Sequence, residues 1–300
     1  MTARIIAFVV SIVLMTSAGA DEYSFEVAGF VNQEDTDTTI TGNGDSVTLD
    51  SGADAVSLAG AWYYAGLSDD NGPWADASFV SRASSVFVAI DGVNETTSIA
   101  FSDPLLGTDV DIDVDTTTIG LGIQHIWADS GWFGIASIAQ LEIESGTSAD
   151  GDATQLLVGG GRYIGETTTL QLLVTDVDDE NVGSTNIEAA LRHVGRLNAI
   201  WQWGTVLRYG VSDASGDLVA DQTSYGAVLN LYPTNRLALT TSLQFVDSDD
   251  DVDEREVGVA VSWFATRNIE LLFRYASLRI DLPQDALNGN SVEAGINVRF

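Results

Sequence analysis

From residue 291 onward the side chains alternate. Val292, Ala294, Ile296, Val298 and Phe300 fall on one side of an extended chain, and Ser291, Glu293, Gly295, Asn297 and Arg299 on the other. A strand has a two-residue period, so this strip has one apolar face and one polar, partly charged face. The run before it does the same: Ile269, Leu271, Phe273 and Tyr275 share a face, opposite Glu270, Leu272 and Arg274. A polar, turn-rich connection, DLPQDALNGN, joins the two. The polar faces carry charged and small residues where a soluble sandwich would need Leu and Phe. Strands of soluble sheets typically have about 5–6 residues, whereas many runs here reach the roughly 9–11 that cross a membrane. The pattern predicts an all-β fold, a transmembrane antiparallel β-barrel.

The rhythm extends back through the chain. Ile119, Leu121, Ile123 and Trp127 alternate with Thr118, Gly120, Gly122 and Gln124. Leu170, Leu172 and Val174 mark a strand, as do Ile187, Ala189 and Leu191 opposite Glu188 and Arg192. In 132–144, Phe133, Ile135, Leu141 and Ile143 read as the lipid side, and Gln140, Glu142 and Glu144 as the polar side. The count is about fourteen strands, with twelve and sixteen as the neighbouring even numbers. Single-chain bacterial barrels have even counts, short periplasmic turns and longer external loops. The connections sort accordingly: ADSG, IGETT, GRLN, YPTN and FATRN are short, while DVDDEN near 176–181 and DSDDDVDE at 247–254 are acidic. Residues 33–53 and 92–115, rich in Asp, Thr and Gly, read as long loops. Trp62, Tyr64, Trp127, Tyr163, Trp201 and Trp263 near strand ends fit interfacial girdles.

Residues 1–20 read as a secretory signal peptide: Arg4, an apolar core from Ile5 to Met15, and Ala18-Gly19-Ala20 before the cut. Residues 21–300 then form one barrel domain. No Cys is present, so there is neither a disulfide framework nor a Cys-based metal site. All twelve basic residues are Arg, and the formal net charge is −32, which disfavours nucleic acid as a partner. Disorder fits poorly with 45% hydrophobic residues and seven Trp.

One stretch departs from the rhythm: GPWADASFVSRAS at 72–84. It resembles a motif of a family of Gram-negative outer-membrane porins, through Gly72, Pro73, Asp76, Ala77, Phe79, Arg82, Ala83 and Ser84. Asp76 stands where that family carries Glu, and Ser78 and Val80 also depart from the pattern. The resemblance covers a small part of the chain and implies a porin-like barrel without naming a solute. Physically the stretch is either a plain turn or an insert against the barrel mouth, with Arg82 pairing Asp76.

The polar faces are the expected working surface. Glu142, Glu188, Arg192, Arg208, Glu270, Arg274, Glu293 and Arg299 are the expected pore-lining residues, and opposed charges across a wet bore sort permeants. Asp109, Asp111, Asp113 and Asp115 share a face if extended, but with Asp109 as position one, position six is Val114 where a calcium loop needs Gly. A solvated acidic loop is the simpler reading. Catalytic signatures are missing: there is no G-x-S-x-G, Walker loop or HExxH, and His125 and His193 fall on the lipid-facing register. The expectation is a passive outer-membrane channel for small hydrophilic solutes and ions, with a mild cation preference and no cofactor. Its partners would be outer-membrane lipid and lipopolysaccharide, and a homotrimer is one assembly that such barrels adopt. A structural or adhesive barrel with acidic loops is the main alternative; a barrel hydrolase is a minor one.

Overall fold

The computed structural model describes residues 22–42, 45–68, 73–101, 110–146, 151–179, 183–198, 201–215, 221–249, 252–281 and 286–300. The segment read as a signal peptide lies outside these residues, as do Gly72 and Asp109. The strands are β1 (Glu22–Gly42), β2 (Asp45–Ser68), β3 (Ser85–Phe101), β4 (Val110–Trp127), β5 (Trp132–Ser145), β6 (Gly151–Tyr163) and β7 (Thr168–Asp179). They continue as β8 (Gly183–Arg196), β9 (Gln202–Ser215), β10 (Gln222–Thr234), β11 (Leu237–Ser248), β12 (Asp253–Thr266), β13 (Ile269–Asp281) and β14 (Ala286–Arg299).

Each strand pairs antiparallel with its sequence neighbours, and β1 pairs with β14, so the fourteen strands close into one barrel. Closure leaves no unpaired sheet edge, which lipid could not solvate. At the seam the Phe300 amide donates to the Phe25 carbonyl at 2.8 Å, and the Ser24 amide donates back to the Phe300 carbonyl at 2.7 Å.

The five turns read as short from the sequence, which join β4–β5, β6–β7, β8–β9, β10–β11 and β12–β13, lie at one end, the short-turn end. In the β4–β5 turn the amides of Ser130 and Gly131 both bond the Trp127 carbonyl, and Gly131 takes φ 70°, where a side chain would be strained. At the other end β1 to β4 run past their neighbours, and two expected loops are strand instead. Residues 33–53 belong mostly to β1 and β2, and residues 92–115 largely to β3 and β4. Beyond the lipid, water replaces acyl chains on the outer side. The alternation persists there but with acid outside: Asp111, Asp113 and Asp115 are exposed, whereas Ile112 and Val114 between them are half-buried.

The outer face carries a continuous apolar belt. Leu121 (55% exposed), Leu229 (55%), Val259 (53%) and Phe273 (53%) represent its middle. Trp62, Trp127, Trp132, Trp201 and Trp263 are exposed at the short-turn end. A soluble monomer's largest apolar patch is about 300–600 Å², and a belt around a whole barrel far exceeds that. Among the described residues no helix is long and apolar enough to cross a membrane, so any crossing is made by strands.

Candidate functional site

The connection from β2 to β3 enters the barrel. Pro73 leads into a 3-10 turn, Trp74–Asp76, and a one-turn helix α1, Ala77–Val80. Arg82 ends the segment at φ 52°, a left-handed conformation uncommon for a residue with a side chain. Its side chain is held on both sides: the guanidinium donates to the Gly165 carbonyl and lies 4.6 Å from the Tyr163 ring centre.

Contacts from all round the wall put this insert inside the bore. Phe79 packs with Ile126 on β4, Phe133 on β5, Tyr163 on β6 and Val194 on β8. Ala77 and Ala83 pack with Tyr63 on β2. Trp74 meets Phe264 on β12 edge-on, with ring centres 5.6 Å apart, and its carbonyl accepts from Arg299 on β14 at 3.0 Å. The Trp74 amide donates to the Asn235 carbonyl at 3.1 Å. Strands this widely spaced can meet one short segment only across the lumen. The insert therefore bridges the mouth at the short-turn end.

Asp76 is its electrostatic anchor. The residue is 4% exposed, and its two carboxylate oxygens take the Arg192 guanidinium and the Tyr232 hydroxyl. The expected Arg82–Asp76 pair is corrected by this geometry. Arg82 is turned to the wall at Tyr163, whereas Arg192, 116 positions from Asp76, reaches it from β8. Removing a partner from a buried charge strands that charge. Tyr232→Phe deletes a hydrogen bond to a carboxylate, worth about 1.5–3 kcal/mol. It is expected to lower the denaturant midpoint of the refolded barrel, and Asp76→Ala to lower it further because Arg192 then loses its counter-charge; unfolding followed by Trp fluorescence reads both.

A second charged network lies beside the insert. Arg299, 4% exposed, is 3.7 Å from both Glu26 and Glu270, and its guanidinium carbon lies 4.6 Å from the Phe264 ring centre. Asn297 donates to Glu26 and, at 3.2 Å, to Glu270. Ser262 donates to Glu270, and the Tyr63 hydroxyl donates to Glu26 at 3.1 Å.

Strand alternation continues from these anchors and sorts the expected pore-lining residues. Glu188, Arg208, Arg274 and Glu293 share the inward register and sit beyond the insert. Arg274 spans Glu256 and, at 3.9 Å, Glu293. Arg192, Glu270 and Arg299 also point inward but hold or flank the insert. Glu142 is the exception. It pairs with Thr117 on the register of Ile119 and Leu121, which is the outer one, and it is exposed there. The expectation for Glu142 is thus corrected. Phe133, Ile135, Leu141 and Ile143 face the bore, because Phe133 packs against the insert and the others follow at two-residue steps. The reading failed because β5 is apolar on both faces, with Trp132 and Ile138 outside. Tyr163, expected in a girdle, faces inward for the same packing reason.

Sequence reasoning also missed several inward acids. Glu34 on β1 lies within electrostatic reach of Glu95 on β3 and of Glu254 and Glu256 on β12. Glu34, Glu95 and Glu254 sit in stretches read as loop, where no facing was assigned, whereas Glu256 falls on the polar side of its strand in the sequence pattern as well. His125 and His193 do occupy the outer register: His125 lies between Tyr64 and Trp127, at 6.1 and 4.9 Å between ring centres. Among the described residues no three His, Cys, Asp or Glu side chains are grouped to hold a metal ion.

Solved structures share this architecture. The Acinetobacter baumannii outer membrane protein Omp33 aligns over 93% of this chain and 99% of its own, with a TM-score of 0.59 and 17% identity. This chain has the fold of an outer-membrane β-barrel. A deletion mutant of TodX, a monoaromatic hydrocarbon channel, aligns over 94% of this chain and 91% of its own, with a TM-score of 0.62 and 10% identity. A Pseudomonas aeruginosa FadL homologue aligns over 92% of this chain and 90% of its own, with a TM-score of 0.59 and 8% identity. At these identities the likeness is one of fold. No protein-family model matches the chain, and no curated protein does, so the porin-family resemblance rests on residues 72–84.

Proposed function

We propose that this chain is a passive channel of a bacterial outer membrane, passing small hydrophilic solutes and ions and mildly favouring cations. The observation that carries the proposal is the inside-out barrel: an apolar belt outside and inward-facing charge along the bore. Lipid and lipopolysaccharide would surround the belt, and residues 1–20 would direct export. The insert would make the short-turn end the narrow, periplasmic end.

Ion preference follows from the charges beyond the insert. Glu34, Glu188, Glu254, Glu256 and Glu293 outnumber Arg208 and Arg274 on the inward register. A low-dielectric wall focuses that field and concentrates cations. Purified protein in a planar bilayer is expected to conduct potassium chloride, with a reversal potential of cationic sign under a salt gradient. A barrel that inserts without conducting would favour the structural or adhesive reading. Conduction with anionic selectivity would remove the acidic wall from control of permeation.

A further inference from the structure

The inward face is not evenly polar. On β4 to β7 it carries Ile135, Leu173, Leu157, Leu141, Ile143 and Val114, all half-buried rather than packed away. The register aligns them as a strip. Ile135 pairs with Gly159 on β6, Leu173 faces that same glycine from β7, and Leu141 pairs with Ala153. Ser137, Ala139, Gln155 and Thr175 share the inward register between the larger apolar residues, so the strip is apolar at its broad positions and crossed by a few polar ones. Leu173 is spread over the wall itself: a Cβ on Gly159 would lie 2.4 Å from its Cδ2. The strip starts beside Phe133, under the insert, and rises along the barrel to Val114 on the extended part of β4.

The opposite wall differs. On β11 to β14 and β1 the inward register carries Thr240, Ser242 and Gln244, then Glu254, Glu256, Glu293 and Glu34, with Arg274 among these acids and Arg299 nearer the insert, held by Glu26 and Glu270. The bore therefore has a greasy side and an anionic side. Water wets both, but only a solute with an apolar body and a positive head complements both at once. Each buried methylene is worth about 0.8 kcal/mol, and the acids supply charge complementarity to an ammonium group.

We propose that the bore selects small organic cations with an apolar or aromatic body, such as arylalkyl amines. Their hydrocarbon slides along the β4–β7 strip while the ammonium group follows the Glu34–Glu254–Glu256 side. This deepens the channel reading and rests on it. An anion meets repulsion from the acids, and a sugar leaves the apolar strip uncovered.

The test is block of the potassium current in single channels by two cations of equal charge, 2-phenylethylammonium and protonated Tris. The expected result is a half-blocking concentration at least about tenfold lower for the aromatic cation, about 1.4 kcal/mol. Neutral 2-phenylethanol should block more weakly than its charged counterpart. Leu141→Asn combined with Leu157→Asn should erase the discrimination while potassium current persists. Glu34→Gln with Glu254→Gln should weaken block by both cations and leave their ratio intact. Should the double Leu variant fail to refold, Leu141→Asn alone gives the same comparison with a smaller change. Equal block by the two cations, or discrimination unaltered by the Leu substitutions, overturns the proposal with the channel reading still standing. Absence of any potassium current in the unmodified protein instead removes the channel reading, and the proposal with it.

Discussion

Removal of residues 74–83, with β2 and β3 rejoined through a short Gly-Ser turn, is expected to raise single-channel conductance several-fold and leave the barrel closed. The reasoning is geometric. An eight-stranded barrel is just filled by its own side chains, and barrels of about 16–18 strands leave an aqueous channel. Fourteen strands lie between these, so a helix about 10–12 Å across with its side chains takes up a large share of the opening. Barrel integrity should survive, because the ladder from β1 to β14 closes without help from the insert. Stability should still fall. Phe133, Tyr163 and Phe264 would face water, and each large apolar side chain left uncovered forfeits about 1.5–3 kcal/mol. Heat-modifiable migration and Trp fluorescence would confirm the fold, and planar-bilayer recordings would give the conductance. Unchanged conductance in a folded deletion would mean that the insert is not the narrowest point.

The second large effect concerns the outside. Val259→Arg places a guanidinium in the middle of the belt on β12, where the side chain is 53% exposed. In a lipid bilayer such a substitution at the midplane costs about 2–4 kcal/mol. Ser242→Arg puts the same group on the neighbouring strand β11 but on the inward register opposite Gly258, where the water of the bore receives it. Folding into lipid vesicles, followed by urea titration, is expected to separate the two clearly, with Val259→Arg destabilised by the full amount and Ser242→Arg by much less. A reversed order would show that the apolar face is not the lipid face, and the bore would have to be redrawn.

The strands that cross the belt were legible because lipid outside and water inside enforce a simple alternation. β9 to β14 follow it closely, from Leu207 and Tyr209 through to the final hairpin. Above the belt that rule lapses. Outside and inside are then both near water, so the Thr-rich parts of β1 to β3 lose the hydropathy contrast, and in β4 it inverts, with Asp111, Asp113 and Asp115 outside, so that these stretches look like loop. β5 misleads for a different reason: its inward face must pack an insert at one end and carry the apolar strip beyond it, so both faces are greasy. Residues 72–84 stood out by composition, and the choice between a turn and an insert could not be made from residues whose partners lie on distant strands.

By itself the sequence determined a membrane barrel of about fourteen strands and the end that carries its short turns, because two-residue periodicity is a local property of each strand; barrel closure in the tertiary structure fixed the number at fourteen. Only the tertiary structure decided that Asp76 belongs to Arg192 and Tyr232, that Glu142 faces outward, and that one wall of the bore is apolar. The Asp76 contacts depend on which strands meet across the lumen, over separations of more than a hundred residues, and the other two on the register between neighbouring strands, which hydropathy alone leaves open where both faces are apolar.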